Sequence, residues 1–280
     1  MNRVDDFHGQ PAIELRTPDG DRATVLLHGA HVASWVPAGG AQRLYLSARR
    51  SYGHGTAIRG GVPVIFPQFN RRGPDFSVPR HGFARTRNWQ AARQLADSVT
   101  LRLADDEQTQ ALWPHPFALT MTVTLAPQRL DLALGVSNTG ARPFSFTAAL
   151  HTYLEVGDIA QASVSGLEGV RFLDTVDQAS GEEGEGSSAP LRFERETDLI
   201  WYDLPRPLRL LSPAGALDIA MEGFADAVVW NPWAQNCAAL PDMADDDFRR
   251  MLCIEAAAIA RPVTLAAGEH WLGRQVLAVP

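Results

Sequence analysis

Two residues of the 280-residue chain have types and settings suited to proton transfer, His151 and Glu255. His151 ends a stretch in which Phe144, Phe146, Ala148 and Leu150 alternate with Ser145, Thr147, Ala149 and His151 itself, followed by Tyr153. A period of two puts the histidine and the tyrosine on a face of small and polar side chains, opposite the phenylalanines. Such a face is either a solvated sheet surface or a concave ligand surface. Glu255 interrupts Met251-Leu252-Cys253-Ile254-Glu255-Ala256-Ala257, the nearly unbroken apolar run expected of a strand buried on both faces. A carboxylate there either binds an arginine as structural glue or is a functional group with a shifted pKa, because an isolated buried charge is expensive. A histidine and a carboxylate together suffice for general acid–base chemistry without a metal.

Arginines supply the second candidate chemistry. Ile58-Arg59-Gly60-Gly61-Val62-Pro63 and Pro79-Arg80-His81-Gly82-Phe83-Ala84-Arg85 combine glycines, which admit close approach, with planar donor forks suited to carboxylate or phosphate. The same residues also fit ordinary turns with solvated arginines. All 25 cations are arginine, and the absence of lysine excludes Schiff-base chemistry, a pyridoxal-phosphate lysine and a phosphate-loop lysine. His28 and His31 project to opposite faces if they lie on one strand, and no third ligand is near them in sequence. Asp242, Asp245, Asp246 and Asp247 lack the spacing of a calcium-binding helical hand and read as a solvated loop. Neither a G-x-S-x-G elbow nor a G-x-G-x-x-G after a strand is present.

The elements that must carry these residues are strands. Leu119, Met121, Val123 and Leu125 alternate with threonines. A turn at Pro127-Gln128-Arg129 follows, and Leu130, Leu132, Leu134 and Val136 repeat the pattern. Residues 23–35, 62–69 and 271–279 also read as extended. With 19 prolines and 23 glycines spread along the chain, helices are short, as around 105–113. The pattern predicts an all-β sandwich or barrel, in one domain over residues 1–280. The segment 179–190, with Glu182, Glu183 and Glu185 among glycines and serines, buries too little to fold by itself and is expected to be an acidic surface loop.

A formal charge of −7 argues against nucleic acid as a partner. No apolar run reaches the ~18–20 residues of a membrane helix, and the start has no hydrophobic leader, so a cytoplasmic location is expected. Cys237 and Cys253 are too few for a disulfide framework.

Taken in order, these blocks resemble one family. Gly29-Ala30-His31-Val32-Ala33-Ser34-Trp35 is followed by the run from Ile58 to Phe69 and by Arg80-His81-Gly82-Phe83-Ala84-Arg85. Leu150-His151-Thr152-Tyr153-Leu154, Val229-Trp230-Asn231-Pro232-Trp233 and the run from Phe248 to Ala257 complete it. The sequence is similar to the hexose-6-phosphate 1-epimerase branch of the aldose 1-epimerase (mutarotase) superfamily. The resemblance implies a β-supersandwich of the galactose mutarotase type and interconversion of the α and β anomers of a hexose 6-phosphate. By the same resemblance His151 is the general acid and Glu255 the general base. Arg59 and Arg85 belong to the substrate pocket, and Asp198 binds sugar hydroxyls. Arg80 stands where the branch often has glutamine and adds a cation, and His81 is a candidate hydrogen-bond donor to the sugar. Trp230 and Trp233 are candidates to stack on it, with core packing the alternative. Glu255 is expected to be ionised and His151 protonated. The expected partner is a small sugar phosphate, with no cofactor, metal, nucleic acid or membrane, and the chain is expected to act as a monomer. The rival readings are an epimerase of unphosphorylated aldoses, a carbohydrate-binding protein that has lost catalysis, and a glycoside hydrolase pairing Glu255 with Asp198.

Overall fold

The computed structural model describes residues 4–53, 55–71, 78–176 and 181–280. The alternating segments form antiparallel strands arranged in three sheets. The largest has nine strands. At its centre Phe117–Ala126 pairs with Arg129–Asn138, which pairs in turn with His270–Ala278. The turn between the first two places Gln128 at φ 58°. An eight-stranded sheet carries Met251–Leu265 at its middle, flanked by Asp226–Asn231 on one side and Phe144–Leu150 on the other. A four-stranded sheet made from Asp5–Phe7, Gln10–Arg16, Arg22–Leu26 and Val32–Val36 completes the frame.

The main core unites the phenylalanine side of Phe144–Leu150 with the apolar side of the nine-stranded sheet. Phe146, Leu150, Val229 and Ile254 belong to one cluster with Leu119, Met121, Leu132 and Leu134. The other face of the eight-stranded sheet carries its own smaller cluster, with Ile65, Ala149, Ile200, Val228 and Ala257. Met251–Leu265 is therefore buried on both faces over its first nine residues, as its composition requires. One helix, Glu107–Leu112, falls within the expected span and is closed by a capping box between Asp106 and Thr109. A second, Trp233–Ala239, was not anticipated.

The acidic segment differs from its expectation in one respect. Residues 179 and 180 lie outside the described residues, but Glu182–Glu185 is a strand at the edge of the eight-stranded sheet, paired with Arg171–Asp174. An existing edge supplies the hydrogen bonds that this composition cannot organise alone. Gly184 fits beneath the ring of Phe172, where a Cβ would come within 2.5 Å of Cζ. The glutamates remain exposed.

Candidate active site

The register of the eight-stranded sheet decides which side chains share its smaller face. Leu150 pairs with Ala256 and Tyr153 with Cys253, so His151 falls in the row of Glu255. Phe144–Leu150 stops just before His151, and the chain resumes as Tyr153–Glu155 against the same neighbour. Across this break the His151 N–H donates to the Pro63 carbonyl, and the Ile254 N–H donates to that of Thr152. Behind it Thr152 points the opposite way and donates to Gln275 Oε1 at 2.6 Å. Gln275, from the nine-stranded sheet, in turn donates to the Ile254 carbonyl at 3.1 Å. A buried amide thus ties the break to its neighbouring strand from the core side.

On the open side, His151 Nε2 lies 3.3 Å from Glu255 Oε1. Exposures of 8% and 1% exclude the solvated-face reading for the histidine. Tyr153 stacks on the imidazole with ring centroids 4.8 Å apart and planes 9° apart. Trp230 meets both rings edge-on at 6.1 Å. Glu255 Oε2 is buried with no hydrogen-bond partner among the described residues. A buried polar atom left without a partner calls for an explanation.

The surrounding pocket is lined by Arg59, Arg80, His81, Arg85 and Asp198, so all seven residues singled out from sequence meet at one place. Arg59 donates from Nε to Asp242 Oδ2 at 3.1 Å and from Nη1 to the Tyr153 hydroxyl at 2.9 Å. Arg85 donates to the Arg80 carbonyl, and its Nε is buried without a partner among the described residues. His81 Nδ1 accepts the Asn70 N–H at 3.1 Å, which fixes the proton on Nε2 and makes that nitrogen a donor. His81 and Gly82 both have positive φ, 63° and 67°. A Cβ on Gly82 would lie 1.9 Å from the Phe66 carbonyl oxygen, so only glycine lets this turn close against its neighbour. Asp198 sits on Thr197–Trp201, two positions along the sheet from Ile200, which also lines the pocket.

Burial dominates the electrostatics. It pushes the Glu255 carboxyl well above its ordinary value; nearby Asp198 adds to this and Arg85 opposes it. Burial, then Arg85 and Arg59, holds the His151 imidazole well below its ordinary value. Both directions run against the expected ion pair in the empty site. Burial favours a neutral carboxyl and a neutral imidazole sharing one proton between Oε1 and Nε2, while the guanidinium groups disfavour the imidazolium but not the carboxylate. Burial also lowers Arg85 to about 10, with Arg59 adding to that shift.

Other expectations need correction too. Gly29 and Ala30, at φ 70° and 47°, make a turn between His28 and His31 where a strand was expected. His28 donates to the Thr56 carbonyl at 2.8 Å, while burial holds His31 down at about 3. The acidic run is not simply solvated. Asp242 binds Arg59, and buried Asp247 accepts from the Tyr45 hydroxyl at 2.6 Å and the Ala244 N–H at 2.9 Å. Of the two tryptophans, Trp230 lines the pocket while Trp233 packs on Phe248. Sequence reasoning missed Tyr153 and Asp242 as parts of the site. Tyr153 carried a signal, since it shares the polar face of His151.

The antiparallel sandwich is one that mutarotase-like proteins share. A crystal structure of a "putative mutarotase (YeaD)" from Salmonella typhimurium matches it with a TM-score of 0.86 and 28% identity. That match covers 99% of this chain and 93% of the other. The structure of an aldose epimerase homologue from C. elegans shares the fold, with a TM-score of 0.74 at 16% identity over 97% of this chain and 100% of that one. The Aldose 1-epimerase family model matches residues 11–278, and the chain belongs to that family. It is an isomerase. Curated relatives named "Putative glucose-6-phosphate 1-epimerase" include one from Cenchrus ciliaris, 35% identical over 97% of this chain and 86% of its own length. Another, from Escherichia coli K12, is 36% identical over 84% of this chain and 79% of its own length.

Proposed function

We propose that the protein interconverts the α and β anomers of a hexose 6-phosphate, with glucose 6-phosphate as the substrate and with His151 and Glu255 as acid and base. The observation that carries this reading is the buried contact between His151 and Glu255 in a pocket that also presents Arg59, Arg80 and Arg85. Anomerisation opens the ring, rotates about C1–C2 and recloses. The C1 hydroxyl must lose a proton and the ring oxygen must gain one, which one base and one acid accomplish together. Glu255 Oε2 takes the hydroxyl proton while His151 protonates the ring oxygen, and reclosure on the other face reverses both transfers.

For this the shared proton must reside on His151 when the sugar is bound. Arg59 and Arg85 oppose an imidazolium in the empty site, and a phosphate dianion beside them offsets that field. His81 Nε2–H and Asp198 are assigned to sugar hydroxyls, as donor and acceptor. Against the glycoside hydrolase alternative stands the contact of Glu255 with the His151 imidazole at 3.3 Å, although Asp198 lines the same pocket. Anomer-exchange NMR on glucose 6-phosphate and glucose at equal concentrations tests the proposal. Faster catalysed exchange on the phosphate is expected. Exchange only on the free sugar moves the activity to unphosphorylated aldoses, and no enhancement on either overturns the reading.

A further inference from the structure

Tyr153 touches both halves of the site. Its hydroxyl accepts from Arg59 Nη1 at 2.9 Å, and its ring lies flat against the imidazole of His151 at 4.8 Å. Arg59 is held on its other side by Asp242, so Nε and Nη1 are both engaged. Among the described residues, no hydrogen bond engages Nη2, which is left for a ligand oxygen. His151 is likewise bounded on several sides, with Tyr153 on one face, Trp230 at an edge and His81 at 5.7 Å. An imidazole turns about its χ2 bond unless its faces are packed, since this torsion has broad minima. The flat stack therefore restricts the plane in which Nε2 meets Glu255.

We infer that Tyr153 is a positioning residue that joins the two functions: its ring fixes the plane of His151 for proton transfer, and its hydroxyl fixes Arg59 for the substrate anion. This assignment rests on the reaction proposed above but concerns a residue with no proton-transfer role of its own. Burial keeps the phenol in its neutral form. The hydroxyl can therefore accept from Arg59 while its own proton is free to meet an acceptor on the ligand.

The two roles separate by substitution. Tyr153→Phe keeps the ring and loses the hydroxyl. It is expected to raise KM for glucose 6-phosphate by about 3–10-fold, the range of one ordinary hydrogen bond, since the hydroxyl acts on the anion through Arg59, and to leave KM for glucose nearly unmoved. Tyr153→Leu loses both, and kcat is expected to fall by about tenfold or more on either sugar, since misplacing a proton-transfer group is costly. The phenylalanine variant should recover most of that kcat. Thermal melts establish that each variant folds, and Tyr153→Met replaces the leucine variant if the latter does not. Wild-type kcat in the folded aliphatic variant overturns the positioning role, as does an equal kcat loss in the phenylalanine variant. An unchanged ratio of the two KM values in Tyr153→Phe overturns the link to Arg59. If the wild-type enzyme shows no preference for the phosphorylated sugar, the proposed substrate is what fails. The kcat comparison on glucose then still decides the role of the ring.

Discussion

Glu255 Oε1 and His151 Nε2 lie 3.3 Å apart across one antiparallel pairing, at the row where the strand of the histidine is interrupted. The register before and after the interruption is the same, so the break turns no side chain to the wrong face. What it changes is the local support, since Thr152 is held from behind by Gln275 while His151 faces the pocket.

Holding a carboxyl in its neutral form by burial costs stability. The unfolded chain ionises this group at its ordinary value, and the folded chain does so only well above it. The cost is therefore absent below the unfolded pKa and grows as the pH rises past it. Glu255→Gln, a neutral isostere, is expected to melt at higher temperature than wild type at about pH 7, by ~2–4 °C for each kcal/mol relieved. The difference should close near about pH 4, where both forms are neutral. Melting curves at the two pH values check this, and a Glu255→Gln variant that melts below wild type at about pH 7 would contradict it.

The pH dependence of turnover follows from the same pair. The one-proton state gains a second proton only below the ordinary histidine range and loses its proton only above the ordinary carboxyl range. Accordingly kcat/KM for glucose, which reports the free enzyme, should show no loss as the pH falls through about 6.5, where an unperturbed histidine takes up its second proton. A half-drop centred there would show that His151 titrates as though exposed.

Arg59 is predicted to discriminate between phosphorylated and free sugar. Removing a hydrogen bond to a charged group costs about 1.5–3 kcal/mol, or roughly 10–100-fold. Arg59→Gln should raise KM for glucose 6-phosphate by that factor and KM for glucose far less. Steady-state kinetics on the two sugars measure the split, and equal increases would remove Arg59 from phosphate recognition.

Much of this site was legible in the sequence because two strand patterns carried it. The alternation of Phe144, Phe146, Ala148 and Leu150 assigned His151 to the opposite face, and the apolar run from Met251 to Ala257 marked Glu255 as buried. Arg59 and Arg85 were visible as cations beside glycines that the structure needs at positive φ. Asp242 was not legible, since its role depends on a contact with Arg59 from a distant part of the chain. The edge strand Glu182–Glu185 escaped for a related reason, as its pairing comes from a neighbour and not from its own composition. Gln275 did leave a trace. It falls in step with Trp271, Gly273 and Leu277, at a position of its strand that faces inward.

That glutamine offers a test of the support behind the histidine. Gln275→Leu leaves the Thr152 hydroxyl and the Ile254 carbonyl without their buried partner. The expected cost is about 1–3 kcal/mol per unsatisfied group. Chemical denaturation should show that loss, together with a lower kcat as His151 shifts. Unchanged stability would mean that the break is held by its strand neighbours alone.

Anomer exchange of glucose 6-phosphate with wild type, Glu255→Gln and His151→Asn, measured side by side by NMR against the spontaneous rate, tests the pair most directly. Each substitution should lower the catalysed exchange by about 10²–10⁴-fold, the contribution of one positioned proton-transfer group. Exchange at the wild-type rate in either folded variant would contradict the assignment of the pair.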